Sequence, residues 1–98
     1  MPSIRDDEVE EAANVFAALG SPVRLRILIL IGETERPLHI TAVAKAMKMD
    51  YAALYRQVKV LENHGLLEVY DVGRSRVLST KDAELLRKAF EIAKKMMH

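Results

Sequence analysis

The sequence contains no cysteine and no tryptophan, and no uninterrupted apolar run in it exceeds five residues. The absence of cysteine excludes disulfide bonds, thiolate metal sites and thiol redox sensing. The short apolar runs exclude a transmembrane helix, which needs about 18 residues. The N-terminal segment is acidic, which is atypical of signal and transit peptides. We therefore expect a cytoplasmic protein that makes no contact with a membrane.

The 98 residues, of which half are hydrophobic and 30% are charged, fit one small globular domain over residues 1–98. A chain of this length buries only about 60–65% of its unfolded surface, so association with a second copy would add stability. The net charge of +1 is unevenly divided: residues 1–20 hold one basic and five acidic side chains, and residues 21–98 hold 14 basic and nine acidic. This division fits a polyanionic partner and, equally well, an ordinary mixed-charge surface.

Apolar spacing, caps and turn residues predict a mainly α-helical fold with a small β-hairpin. Ser21, Thr41, Asp50 and either Ser79 or Thr80 are expected to cap helices at their N-termini. The predicted helices cover 8–19, 22–31, 42–48, 51–64 and 81–97, and the predicted strands cover 38–40, 66–72 and 76–78. Two short helices joined by two or three residues form a helix-turn-helix, and the hairpin that follows makes it a winged helix-turn-helix.

The predicted helix 51–64 has one apolar face and one face suited to DNA. At about 100° per residue, Leu54, Val58 and Leu61 point to the core. On the other side, arginine suits guanine or phosphate, lysine suits phosphate, and alanine leaves room for close approach to a groove. A solvated basic face is the alternative, but the helix-turn-helix frame favours DNA contact. The predicted contacts are Ala52, Tyr55, Arg56, Lys59 and Asn63, together with Thr41 at the start of the preceding helix.

The predicted hairpin carries Arg74 and Arg76 on either side of Ser75 at its tip. Two arginines on a protruding turn suit a minor groove or its phosphates, and we expect all three residues to contact DNA. Taken alone, they are explained as well by solubilising charge on an exposed edge.

The last predicted helix carries two adjacent apolar stripes, more than one helix needs to dock on a small core. The excess is best buried on a second copy of the chain, and one broad seam on the chain's own core is the alternative. We expect the helix at 81–97 to mediate dimerisation. The stripes are Leu85, Ala89, Ile92 and Met96, and Leu86, Phe90, Ala93 and Met97.

Three segments resemble the ArsR-type winged helix-turn-helix repressors: LGSPVRLRILILI (19–31), PLHITAVAKAMKMDYAALYRQVKVLENHGLL (37–67) and VGRSRVLS (72–79). The second is the most specific, because Arg56, Lys59, Leu61 and Gly65 fall where the family has the pattern SRHLKxLxxAGLV. The resemblance implies a homodimer that represses its promoter by occupying the operator, with the first and last helices, at 5–19 and 81–97, as the interface. The residues predicted for that interface are Val9, Ala13, Phe16, Leu86, Phe90, Ala93 and Met97.

The sequence departs from the family at the positions that sense metals. Residues such as His39 and Thr41 stand where metal-sensing members often carry a Cys-x-Cys pair. The last helix offers Asp82, Glu84 and Glu91 with only the terminal His98, and no two histidines lie four residues apart. We therefore predict no metal and no cofactor. Lys48 also replaces a usual glycine, and Tyr55 replaces a usual serine, which puts the family's base preferences in doubt.

These observations predict a sequence-specific regulator, a repressor that binds double-stranded DNA as a homodimer on a pseudo-palindromic operator. Two alternatives stay open: a non-specific architectural DNA-binding protein, and a winged-helix module that binds another protein through Tyr51 and Tyr55. Enzyme activity is not expected, because the sequence has no thiol, no Ser-x-x-Lys motif, no glycine-rich phosphate loop and no clustered carboxylate pair on a common loop.

Overall fold

Helices and strands follow one another in the predicted order in the computed structural model, which describes residues 3–34 and 36–97. The helices in these residues are α1 (Asp6–Leu19), α2 (Pro22–Gly32), α3 (Ile40–Met47), α4 (Tyr51–Asn63) and α5 (Ala83–Met96). The strands are β1 (Leu38–His39), β2 (Leu67–Val72) and β3 (Ser75–Thr80). The predicted winged helix-turn-helix is thereby confirmed.

The three strands form one antiparallel sheet in the order β1-β3-β2. Strands β2 and β3 are the wing, and the pairing of Val72 with Ser75 leaves a turn of two residues, Gly73 and Arg74. Gly73 has a φ of 61°, and glycine adopts this left-handed conformation without the steric cost of a Cβ atom. Strand β1 joins the base of the wing to the helical body, because Leu38 pairs with Leu78.

The core fixes the orientation of α4, the predicted recognition helix. Leu54, Val58 and Leu61 are completely buried, as their spacing predicts. They pack in one cluster with buried residues of α2, α3, β2 and β3, which include Ile27, Ile31, Val43, Leu67 and Leu78. Because burial of each large aliphatic side chain contributes about 1.5–3 kcal/mol, rotation of α4 about its axis would be costly. The opposite face of α4 is therefore held toward solvent.

Two predicted caps are confirmed by hydrogen bonds. The Ser21 hydroxyl accepts from the backbone N–H of Arg24, and the Asp50 carboxylate accepts from that of Ala53 at 2.7 Å. Both caps satisfy an N–H group in the first turn, which has no partner within the helix. Asp50 thus sets the first residue of the recognition helix.

Two other predicted caps are wrong. Thr41 does not cap α3, because the helix begins at Ile40, whose side chain is drawn into the core, and Thr41 lies exposed in the first turn. Ser79 and Thr80 do not cap α5, because they extend β3 and pair with Glu68 and Leu67. Their backbone groups are paired with those of β2, so α5 begins later, at Ala83.

Asp82 is the residue that caps α5, since its carboxylate accepts from the N–H of Leu85 at 3.0 Å. The wing is also longer than predicted, because β3 begins at Ser75 rather than at Arg76. Ser75 therefore lies in the strand and not in the turn. Helix α1 begins at Asp6, two residues earlier than predicted, with three acidic residues in its first turn, where the helix dipole favours them.

Within the described residues, no single helix is long and apolar enough to cross a bilayer. Helices α1 and α2 meet that criterion only together, as a pair bent by 81°. In α2, the apolar residues Ile27, Leu28 and Ile31 are already buried in the core of the domain.

Candidate nucleic-acid interface

The turn between α3 and α4 brings the two helices into the helix-turn-helix arrangement. Lys48 ends α3 in the left-handed conformation with a φ of 55°, and its N–H is shared between the carbonyls of Ala44 and Lys45. A left-handed residue at this point reverses the chain so that α4 can start at Tyr51. Glycine adopts this conformation more readily than lysine does, because glycine has no Cβ atom.

The outward face of α4 carries the side chains that the sequence analysis assigned to DNA. Ala52, Arg56 and Asn63 are exposed, and the Lys59 side chain is 44% exposed. Tyr55 lies on the flank and packs partly against the core. Thr41 is exposed on α3. The predicted DNA contacts on the two helices are therefore accessible to solvent. On the wing, Arg74 and Ser75 are exposed, whereas Arg76 is half-buried.

Arg56 and Arg74 are the predicted DNA-binding cations that keep their donors free. Arg56 lies on the outward face of α4 and Arg74 in the wing turn, and both are exposed. Among the described residues, neither side chain has a hydrogen-bond or ion-pair partner. An exposed guanidinium with unoccupied donors can bind phosphate or guanine in a bidentate manner.

Lys59 is engaged within its own helix. Its Nζ atom lies 2.5 Å from Oε1 of Glu62, one turn further along α4. This hydrogen bond and the charge of Glu62 raise the pKa of Lys59 above its ordinary value. The ammonium group is therefore charged at neutral pH, and an exposed pair of this kind is weak enough to be exchanged for a phosphate.

Arg76 has more contacts with protein groups than the other cations predicted to bind DNA. Its Nη1 atom donates to the Tyr51 hydroxyl at 2.9 Å, and its guanidinium carbon lies 4.5 Å from the centre of the Tyr55 ring. Its Nε atom lies 3.8 Å from the Asp71 carboxylate on β2. The Tyr51 hydroxyl raises the pKa of Arg76, with smaller contributions from Tyr55 and Asp71. Arg76 thus connects the wing to α4 instead of standing free at the tip beside Arg74.

Tyr51 and Tyr55 are stacked on each other, with ring centres 6.1 Å apart and planes inclined by 17°. The two tyrosines are four residues apart, so their side chains lie one above the other on α4. The sequence predicts a role for Tyr51 only as part of a protein-binding surface. The sequence feature that indicates the contact of both tyrosines with Arg76 is the Tyr-x-x-x-Tyr spacing, followed along the chain by an arginine two residues beyond the wing turn.

Arg24, for which the sequence predicts no role, connects α4 to α1. Arg24 donates from Nε to the Ala18 carbonyl at 2.6 Å and from Nη2 to the Ala17 carbonyl at 3.0 Å. Its Nη1 atom donates to the side-chain oxygen of Gln57 on α4 at 2.9 Å. The side chain therefore satisfies carbonyls at the end of α1 and ties that end to the recognition helix.

The sequence matches one family model and individual proteins named as transcriptional regulators. The family model described as HVO_A0114 matches residues 20–85. A protein from Synechocystis sp. named transcriptional repressor SmtB homolog is 30% identical over 87 residues, which are 89% of this chain and 64% of that protein. The HTH-type transcriptional regulator NmtR of Mycobacterium tuberculosis is 38% identical over 82 residues, which are 81% of this chain and 67% of NmtR. The chain thus spans about two thirds of the length of these curated relatives.

Solved structures share the fold. The homodimeric winged helix-turn-helix domain of Mb0332 from Mycobacterium bovis, described as a possible ArsR-family transcriptional regulator, has a TM-score of 0.79 at 22% identity, over 99% of this chain and 90% of that one. The structure of apo-NmtR has a TM-score of 0.72 at 32% identity, over 97% of this chain and 81% of that one. The chain belongs to the ArsR family. Its winged helix-turn-helix is that of an ArsR-family regulator, as the motifs in its sequence predict.

This ArsR-family member shows no group of three His, Asp or Glu side chains able to hold a metal ion within residues 3–34 and 36–97. His39 lies exposed at the N-terminal end of α3. His98 lies outside the described residues. The expectation that the chain binds no metal stays a prediction.

Proposed function

We propose that the chain is a transcriptional repressor that occupies a pseudo-palindromic operator as a homodimer, with α4 in the major groove and the wing beside it. The observation that carries this proposal is the exposed Arg56 on α4, whose donors have no partner among the described residues. The opposite face of the same helix is fixed in the core by Leu54, Val58 and Leu61. The names of the relatives support a regulatory role. DNA binding also agrees with the cytoplasmic location expected from the sequence.

The side chains divide by the part of DNA that each can reach. Arg56 is the candidate for reading a base, because its free guanidinium can bind both acceptors of a guanine. Lys59 and Arg74 are candidates for phosphate, with Arg74 entering from the wing. Ala52 allows close approach, and the remaining predicted contacts can donate to phosphate or base edges. These are Thr41, Asn63, Tyr55 and Ser75.

The homodimer of the proposal uses α1 and α5, whose apolar side chains lie at the surface of the single chain. Phe16 on α1 is 71% exposed and Phe90 on α5 is 43% exposed, and α5 buries none of its residues. Leu86 is the exception within the predicted interface, because it packs against the chain's own core. Several large apolar side chains exposed on one helix are typical of an interface. The other predicted interface residues are also exposed: Val9, Ala13 and Ala93 lie on these helices, and Met97 is the C-cap residue of α5.

Selection from a randomised duplex library, followed by fluorescence anisotropy at two salt concentrations, tests the proposal. We expect enrichment of a sequence with two-fold symmetry, bound about 10³-fold or more tightly than a scrambled duplex and more weakly as salt rises. Half-sites should be about 34–36 Å apart, one turn of B-DNA. Enrichment of a site without two-fold symmetry would contradict the dimeric operator, and equal binding to scrambled DNA would contradict sequence specificity.

Two substitutions separate base reading from phosphate contact. Arg56→Ala should weaken binding and reduce the preference for the selected sequence, because a base contact is lost. Lys59→Ala should weaken binding to selected and scrambled duplexes alike. Lys95→Gln on α5 is the matched control, since it removes one positive charge far along the chain from α4 and should leave the preference unchanged. No DNA binding under any condition would overturn the proposal.

A further inference from the structure

The base of the wing and the tip of the wing are held by different contacts. At the base, β3 pairs with β1, so Leu78 and Val77 are buried against the body of the domain. Beyond that point the hairpin projects with Val72, Gly73 and Arg74 exposed. Arg76, two residues from the turn, is the residue that connects this projecting part to α4.

The three contacts of Arg76 use different parts of its planar guanidinium group. One terminal N–H donates to the Tyr51 hydroxyl, the face of the group covers the Tyr55 ring, and Nε lies 3.8 Å from the Asp71 carboxylate. A hydrogen bond, a cation–π contact and an ion pair in these directions require the flat, forked geometry of arginine. Lysine has the same charge but cannot make all three contacts together.

The same contacts also fix the tyrosines. Tyr55 is covered by Arg76 and is stacked on Tyr51, so two neighbours determine the position of its ring. The Tyr51 hydroxyl accepts from Arg76 and is held at the first residue of α4. The wing, Tyr51 and Tyr55 therefore form one unit at the N-terminal half of the recognition helix, the part that enters the groove in this class of protein.

We propose that Arg76 is a positioning residue, which holds the wing against α4 so that Arg74 and Arg56 meet the DNA together, and that it is not itself a phosphate ligand. This inference rests on the proposed DNA-binding function and refines the expectation that Arg76 contacts DNA. Its basis is the contrast within the wing, where the Arg74 side chain has no hydrogen-bond or ion-pair partner among the described residues, whereas Arg76 donates from Nη1 to Tyr51, covers the Tyr55 ring and lies within ion-pair distance of Asp71. A site pre-organised in this way loses less conformational entropy on binding.

Two variants that keep the net charge test the positioning role. Arg76→Lys removes the planar group, and Tyr51→Phe removes the acceptor while retaining the stacked ring. Each should weaken binding to the selected operator by about two- to tenfold, the range expected for loss of one hydrogen bond. The slope of log affinity against log salt should stay that of the unmodified protein, because no phosphate contact is lost.

Arg74→Ala provides the reference for a residue that does bind phosphate. It should reduce the magnitude of the salt slope by about 0.9, the value for one phosphate contact. The double variant Arg76→Lys with Tyr51→Phe should bind no more weakly than the more affected single variant, since both remove the same contact. Losses of affinity that add up in the double variant would overturn the proposal. A further variant, Arg76→Ala, removes the charge as well, and a salt slope reduced in it as much as in Arg74→Ala would also overturn the proposal.

Amide hydrogen exchange supplies a measurement that needs no DNA. In Arg76→Lys, exchange at residues 72–75 should become faster than in the unmodified protein, while exchange in the core of α4 stays the same. Unchanged exchange at the tip would contradict the positioning role even if the operator is bound. If the unmodified protein binds no DNA, the proposed function fails, but the exchange result still decides whether Arg76 holds the wing.

Discussion

The two regions of this small domain differ in how completely they are packed. In the centre, α2, α3, α4 and the sheet bury their large aliphatic residues together. At the two ends of the chain, α1 buries only Ala18, and α5 buries none of its residues. The ion pairs of α5 also stay within the helix, since Arg87 pairs with Glu84 and Glu91. The centre is complete as a single chain, whereas the ends expose the apolar surface that a second chain would cover.

This difference shows what hydrophobic periodicity can and cannot indicate. The apolar face of α4 and the apolar stripes of α5 are equally clear in the sequence. One is buried in the chain's own core, and most of the other is exposed. Periodicity identifies a face that avoids water, but only the three-dimensional arrangement shows whether the chain itself supplies the partner. The proposed dimer follows from that comparison.

The largest effect is expected from charges placed on the exposed apolar face. Phe16→Glu combined with Phe90→Glu should convert the proposed dimer to a monomer, because two carboxylates would have to be buried in the interface. Affinity for the operator should fall on the order of 10³-fold, since each chain would then bind one half-site alone. Sedimentation equilibrium and anisotropy on the same samples measure both effects.

The control for this variant lies on the polar side of α5. Lys95→Gln changes the net charge in the same direction without touching an apolar side chain, and it should leave the mass in solution unchanged. An unmodified protein that sediments as a monomer at the concentrations that bind the operator would contradict the proposed dimer. A double variant that stays dimeric would place the interface elsewhere.

The next effect compares one leucine from each region. Leu54 is completely buried, so Leu54→Ala should lower the free energy of unfolding by about 2–5 kcal/mol. Leu85 is 62% exposed, so Leu85→Ala in the monomeric Phe16→Glu, Phe90→Glu background should change it by no more than about 0.5 kcal/mol. Urea unfolding measures both values. A large loss in Leu85→Ala would mean that α5 is packed on its own chain, and the contrast between the regions would fail.

A smaller effect is expected at Arg24, the side chain that links the two regions. Arg24→Met keeps the apolar stem but removes the donors to Ala17, Ala18 and Gln57, at an expected cost of about 1–3 kcal/mol. Amide exchange at the end of α1 should become faster. Arg26→Met is the matched control, because Arg26 is exposed on the same helix and has no hydrogen-bond partner among the described residues. Equal stabilities of the two variants would show that the link contributes nothing.

The parts of the fold that the sequence predicts are those specified by local signals. Asp50 precedes a segment with helical apolar spacing, and its carboxylate caps the start of α4. Gly73 lies between two segments of alternating polarity, and its left-handed conformation forms the wing turn. The errors arise where a distant partner decides. Thr80 could cap a helix, but it pairs with Leu67 across the wing. Likewise, the sequence shows that Arg76 is positively charged, but its contacts with Tyr51 and Tyr55 depend on how the hairpin folds back onto α4.

The smallest predicted effect lies in the well-packed region, at Lys48. Its φ of 55° is unfavourable for a residue with a Cβ atom, and its side chain is exposed and makes no hydrogen bond to another described residue. Lys48→Gly should therefore raise the free energy of unfolding by about 0.5–1 kcal/mol, after the greater chain entropy of unfolded glycine is offset. Lys45→Gly, in the last turn of α3, is the matched control and should lower stability by about 1 kcal/mol, because its backbone is helical. If Lys48→Gly also lowers stability, the strain at the turn is already relieved by its surroundings. If it raises stability but weakens operator binding, the lysine has been kept for its charge beside the DNA, at the expense of the turn.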